Sequence, residues 1–287
     1  MRIGVCTTDF ATHPTGELFK KMSSMGFEST QLGFVTLSEM NYIPTGQIEI
    51  PESIPDDVIR LVREASSEYG IPVCAINGTF NAAHPDAEVR AEGIRRFAAL
   101  ANAASKLNCH IITLCSGTRN TDDLWAEHAD NGTAEAWADC IETMRALSDI
   151  AQEHGITLAV ETEAANIIDT PAKARRMMDE VGSPHLKMIM DCANLFRKGE
   201  AYMPNVAARL REAFDAFGGD VVVAHGKDIA ESDGIAFCPT GEGIIDFELF
   251  VKLLSKCGYE GEMMLHGIYD EAKMPAGIEL IRQAMSK

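Results

Sequence analysis

Eight times along this 287-residue chain a short apolar run is followed by a helical pattern, and the alternation never breaks. The runs are RIGVC (2–6), STQLGF (29–34), IPVCAIN (71–77), HIITLC (110–115), ITLAVE (156–161), LKMIMD (186–191), VVVAH (221–225) and EMMLH (262–266). Such nearly continuous apolar stretches suit strands covered on both faces, as in a parallel sheet. Helical patterns fall between them, near 15–25, 55–69, 86–107, 133–154, 171–181, 204–217, 247–257 and 274–285. Strict alternation of this kind predicts an α/β fold, a (β/α)8 TIM barrel, over 1–287 as a single domain.

Local punctuation agrees. Gly26, Gly70, Asn108, Gly155, Gly182 and Gly258 each stand where a helix should stop, and these residue types accept the left-handed conformation that ends one. Asp86, Thr133, Thr170 (followed by Pro171) and Asp246 are good N-caps. A doubly wound open sheet is the rival, but its glycine-rich first turn is missing from CTTDFATHP. Two connections are longer than the fold requires, at about 35–55 and 116–132. Both follow strands, on the face where barrels place their active sites, and loops of this length usually cover or bind something. Trp125, in the second, is suited to cover a sugar ring.

Charge narrows the partners. A formal net charge of −18 disfavours nucleic acid and anionic membrane surfaces. No apolar segment approaches the ~20 residues needed to cross a bilayer, and the N-terminus reads as a first strand. Eight cysteines without a close CxxC pair read as reduced core residues of a cytoplasmic protein. A homo-oligomer is compatible with such a chain.

The chemistry concentrates in the second half. Apolar runs end on Glu161, Asp191, His225 and His266, each about one strand–helix unit after the last. A charge at the end of a buried strand is costly without a cation or a hydrogen-bond partner. In a closed barrel those strand ends share one rim, so the four side chains can converge. Mixed nitrogen and oxygen donors suit one first-row divalent metal ion. With Glu161 and Asp191 balancing its charge, Mn, Co, Zn or Fe is favoured over Mg. Asn81 and His84 follow the third strand on the productive face and are assigned to substrate hydroxyls. Arg119 is a candidate partner for a phosphate or carboxylate. Lys227, two residues after His225, is placed to steady a developing oxyanion or a phosphate.

The segments LAVETEAAN, MDCANLF, AHGKD, PTGEGIIDF and GTFNAAHPD resemble the xylose-isomerase-like TIM-barrel superfamily of sugar and sugar phosphate isomerases and epimerases. The resemblance runs from the first strand to the last helix. It implies metal ligation by Glu161, Asp191 and His225, with a substrate-binding position at Asn194. The family's fourth ligand is usually a glutamate, and His266 stands there instead. By that resemblance Glu161 and His266 form the proton-transfer pair, His266 doubling as a fourth ligand. The implied activity is metal-dependent isomerisation or epimerisation of a sugar or sugar phosphate through an enediolate. Dehydration of a sugar or inosose by the same chemistry, and a sugar-binding barrel with a degraded site, are the alternatives.

Overall fold

The computed structural model describes residues 1–44 and 46–287; Thr45, inside the loop expected at 35–55, lies outside the described residues. Eight parallel strands close a barrel: β1 (Arg2–Cys6), β2 (Ser29–Leu32), β3 (Val73–Asn77), β4 (Ile111–Cys115), β5 (Thr157–Glu161), β6 (Leu186–Asp191), β7 (Val221–Gly226) and β10 (Glu262–Leu265). The sheet closes where β1 pairs with β10, Val5 opposite Leu265. Between β7 and β10 the chain adds a small antiparallel pair that the sequence did not announce, β8 (Asp228–Ile229) with β9 (Phe237–Cys238).

Among the described residues eight α-helices surround the sheet: α1 (Thr15–Met25), α2 (Asp56–Tyr69), α3 (Ala87–Leu107), α4 (Ala134–His154), α5 (Pro171–Val181), α6 (Met203–Phe217), α7 (Phe247–Lys256) and α8 (Met274–Met285). The cap chemistry behaves as its residue types require. Asp86, Thr133, Thr170 and Asp246 accept backbone N–H groups from the first turns of α3, α4, α5 and α7. The first five helices end on left-handed Gly26, Gly70, Asn108, Gly155 and Gly182. None of the helices among the described residues is long and apolar enough to cross a membrane.

Two apolar layers result. The large one fills the space between sheet and helices, with Phe19, Phe97, Leu147, Met177, Leu210 and Phe250 fully buried. The small one lies inside the barrel and is built from Cys6, Ala75, Ala159, Ile189, Val223 and Met264. It closes the interior beneath the strand C-termini, so the polar strand ends above it line a floored basin rather than a channel.

Candidate functional site

Glu161 is the last residue of β5, Asp191 the last of β6, and His225 lies opposite Asp191 in the β6–β7 pairing. Strand register alone therefore brings the three onto one rim, and all are buried. One ligand atom from each lies within 4.8 Å of the other two, and none of the other described His, Cys, Asp or Glu side chains completes such a group.

The hydrogen-bond pattern explains what this cluster is suited to hold. His225 Nε2 lies 3.1 Å from Gln31 Oε1. An amide oxygen only accepts, so the ring proton of a neutral imidazole sits on Nε2 and the Nδ1 lone pair is free. That Nδ1 stands 3.3 Å from Asp191 Oδ2 and 3.5 Å from Glu161 Oε1. Yet His225 Nδ1 and Asp191 Oδ2 are buried without any hydrogen-bond partner. Nearly every buried polar atom in a folded protein has one. With Nδ1 unprotonated, three acceptors face one another and only Glu161 Oε1 has a donor, in Asn194. A cation between them, whether a proton or a metal ion, stabilises the group, and one nitrogen with two carboxylates is a common donor set for first-row metals. The residues present fit a divalent metal.

Neighbouring groups orient the cluster. Asp191 Oδ1 accepts the N–H groups of Ala193 and Asn194 at 2.8 and 3.0 Å, which leaves Oδ2 turned inward. Asn194 donates through Nδ2 to Glu161 Oε1 at 2.7 Å and accepts from Lys227 Nζ at 2.9 Å. Lys227 Nζ also lies 3.5 Å from the centroid of the Phe237 ring, on β9. Asp228 accepts from the backbone N–H groups of Gly241, Gly243 and Ile245 and so ties down the loop after β9. A side chain at Gly243 would put its Cβ 2.2 Å from Asp228 Oδ1, so the glycine is a condition of that tie.

Charge follows the same geometry. Burial opposes ionisation of Asp191, but the Lys227 ammonium and His225 outweigh it and hold the carboxyl below its usual range. Burial favours neutral His225, whereas Glu161, the Cys6 sulfur and Asp191 raise its pKa well above the ordinary value. Burial would lower the pKa of Lys227 too, but Asp191, Glu163 and Glu161 keep it raised. Glu163 is pushed up to about 7 by burial; Lys227 opposes the shift, while Glu161 and Asp191 add to it.

His266 departs from the four-ligand arrangement. It follows β10, near His225 but outside the cluster of three, with ring centroids 5.3 Å apart. Its Nδ1 lies 3.0 Å from Asp9 Oδ1, and the other Asp9 oxygen accepts the Ile268 N–H at 2.9 Å. The carboxylate thus draws the ring toward β1. Burial would keep this imidazole neutral as well, but Cys6 and Asp9 raise its pKa.

The cluster opens into a cavity of about 910 Å³ lined by Glu161, His225, Lys227, His266, Trp125 and residues of most strands. Asn194, spent between Glu161 and Lys227, does not line it, and three further expected substrate contacts lie elsewhere. Asn81 is spent on loop structure: Nδ2 donates to Gln47 and Asn120, and Oδ1 accepts the Thr118 N–H. It packs where a Cβ at Gly117 (φ +79°) would fall 2.3 Å from its oxygen. His84 Nδ1 accepts the Asp86 N–H at 3.0 Å. Arg119 turns away to Asp139 Oδ2 at 2.6 Å and to the Ala83 carbonyl, and borders a separate surface depression. Loops that begin on the productive face fold back on each other here, and most of their polar groups satisfy one another, Gln47 Nε2 being an exception. Gln31, Asp9, Glu49 and Glu163 were not foreseen. The visible signal for Gln31 was a long amide inside a strand that is buried throughout.

Comparison with known proteins identifies the family and the fold. The family model for the xylose isomerase-like TIM barrel matches residues 19–284. An L-ribulose-5-phosphate 3-epimerase, UlaE of Escherichia coli, is 25% identical over 191 residues, which are 67% of this chain and 61% of that one. The match thus spans about three fifths of the length of that curated relative. Among solved structures, the 3-keto-D-glucoside 4-epimerase YcjR of E. coli superposes with a TM-score of 0.72 at 19% identity, over 100% of both chains. The D-psicose 3-epimerase of Clostridium cellulolyticum H10 does so with a TM-score of 0.73 at 14% identity, over 99% of both. At these identities the structural likeness establishes the fold. With its family model matched over nearly the whole length, the chain belongs to the xylose isomerase-like TIM-barrel family.

Proposed function

We propose that the protein is a divalent-metal-dependent isomerase or epimerase acting on a sugar carbonyl through an enediolate. One observation carries the reading: His225 Nδ1 and Asp191 Oδ2 are buried, unpartnered and 3.3 Å apart, with the Glu161 carboxylate beside them, and Glu161 and His225 line the large cavity. Relatives named for epimerising a ketose, a ketose phosphate and a keto-glucoside support the choice of chemistry. Glu161, Asp191 and His225 would hold the metal, with Mn, Co, Zn or Fe preferred to Mg for a site containing nitrogen. Bound there, the ion supplies Lewis-acid charge to a substrate carbonyl and lowers the cost of the enediolate.

The chain's own groups do the rest. Glu161, with Oε1 steadied by Asn194, removes the proton next to the carbonyl. Asp9 holds His266 through Nδ1, so the ring's other nitrogen is the one offered to the cavity it lines. His266 supplies a proton of its own to the neighbouring carbon or the opposite face, and exchange with solvent resets both groups. Lys227 donates toward oxygen in the charged intermediate and fixes Asn194 at the same time.

The direct test is metal-dependent proton exchange. Protein stripped with chelator and reloaded separately with Mn, Co, Zn, Fe(II) or Mg is incubated with ketoses and aldoses in deuterium oxide. Deuterium should enter the carbon next to the carbonyl, most with the first four ions, and disappear on chelation. A product lighter by one water moves the assignment to a dehydratase. Metal-loaded protein that exchanges no sugar proton leaves a binding barrel instead.

A further inference from the structure

The cavity is larger than one sugar ring requires. Its volume of about 910 Å³ lies near the top of the ~300–1,000 Å³ range that accommodates drug-sized ligands, and a free ketose over the Glu161–Asp191–His225 cluster would leave much of it to water. The surplus space has a chemical character. Of the five large hydrophobic side chains that stand exposed among the described residues, three, Trp125, Ile235 and Tyr269, line this one cavity, while Ile43 and Met203 lie elsewhere. Exposed apolar groups gathered at a cleft, rather than scattered, mark a recognition surface. Trp125 is held there: its Nε1 donates to Glu49 Oε1 at 3.2 Å, which fixes the indole while 46% of the residue stays exposed.

The lining acids weigh against a phosphorylated ligand. Glu49, Glu127, Glu163, Asp169 and Glu200 line the cavity along with Glu161. Against them stand three lining cations. Lys227 donates to Asn194 and faces the reacting end of the site, away from the far end of the cavity, Arg197 is paired with Glu200 at 2.9 Å, and Lys198, solvent-exposed, stands outside the ion pairs of the described residues. Among the described lining residues no arginine is free to grip a phosphate, and the surrounding acids would repel one.

We infer that the ligand is an uncharged two-ring sugar, a glycoside or disaccharide whose keto ring lies over the metal cluster and whose second ring stacks on Trp125. This rests on the proposed sugar isomerase chemistry for its reacting end only. The apolar face of a pyranose ring fits an indole, and the Glu49 bond leaves that indole pre-oriented at little entropic cost.

The experiment reads binding, not turnover. The protein has two tryptophans, and Trp137 is buried, so Trp125 dominates any ligand-induced change in fluorescence. Metal-loaded protein is titrated with D-fructose, D-fructose 6-phosphate, lactulose and maltulose, with calorimetry in parallel. Both two-ring ketoses should bind at least about tenfold more tightly than D-fructose and shift the emission, and the phosphate should bind no better than the free ketose. Trp125→Ala should erase the two-ring advantage in calorimetry, whereas Trp125→Phe should retain most of it. Tighter binding of the phosphate, or no advantage for a second ring, or an advantage that survives Trp125→Ala, overturns the inference. Deuterium exchange on the same samples keeps the two ideas apart. Exchange into D-fructose without a two-ring advantage removes only this inference; two-ring binding through Trp125 without exchange into any sugar removes only the isomerase.

Discussion

The rim formed by β5, β6 and β7 and the loops that follow β3 and β4 hold similar residues and use them in opposite ways. In the loops every polar group singled out has a partner. Arg119 has Asp139 and the Ala83 carbonyl; Asn81 has Gln47, Asn120 and Thr118; His84 has the Asp86 N–H. At the rim, His225 Nδ1 and Asp191 Oδ2 are buried without one. Burying an unpartnered polar group costs about 1–3 kcal/mol. A fold retains such a cost where something else stabilises the group, so the unsatisfied rim is the place to look for a ligand and the satisfied loops are the scaffold that supports it.

The largest effect that can break this contrast belongs to Glu161. Glu161→Gln keeps the size and the hydrogen bond from Asn194 but removes the base, and general-base loss typically costs 10²–10⁴-fold in rate. Solvent-deuterium exchange should fall by at least about a thousandfold while the unfolding transition of the metal-free protein moves little. Unchanged exchange would show that this carboxylate is as structural as the loop residues.

The second effect is thermodynamic. A cation that binds the folded chain at about a hundred times its Kd adds ~2.7 kcal/mol of stability, and each kcal/mol raises the midpoint by roughly 2–4 °C in a chain approaching this size. Calorimetric scans with and without Mn should therefore separate by several degrees. In Asp191→Asn the separation should vanish, because the inward oxygen loses its charge. A metal-induced rise that persists in this variant would place the ion elsewhere.

These residues could be read before any coordinates because their signal is local. A single acid or imidazole that ends an apolar run on consecutive strands must share a rim once the barrel closes, and closure itself follows from the alternation of eight apolar runs with eight helices. The loops carry no such rule. Asn81 and Arg119 start on the same face, but which way they turn depends on Gly117, Asp139 and Gln47, partners that only the folded chain brings within reach. His266 shows the limit within the rim itself. Its position was legible, but the pull of Asp9, a residue of the first β–α connection, was not. Glu163 was passed over for a related reason: nothing in the ETE sequence reveals that its carboxyl is buried next to two other acids.

Arg119 gives the smallest of the expected effects and the sharpest test of the loops as scaffold. The guanidinium is only 7% exposed and its partner Asp139 21%, so truncation removes the donor to Asp139 Oδ2 and to the Ala83 carbonyl and leaves the carboxylate with Arg90 alone, on Oδ1. Arg119→Ala should cost about 1–3 kcal/mol in urea unfolding, with an unchanged m-value because the fold exposes the same surface. Metal affinity and deuterium exchange should stay within about twofold of the parent, since distant sites without shared partners behave additively. A variant that unfolds normally but loses exchange would return Arg119 to the substrate. The distinction between satisfied and unsatisfied polar groups would then fail on the side where it now excludes residues, and the cavity would have to be redrawn to include the surface depression beside α4.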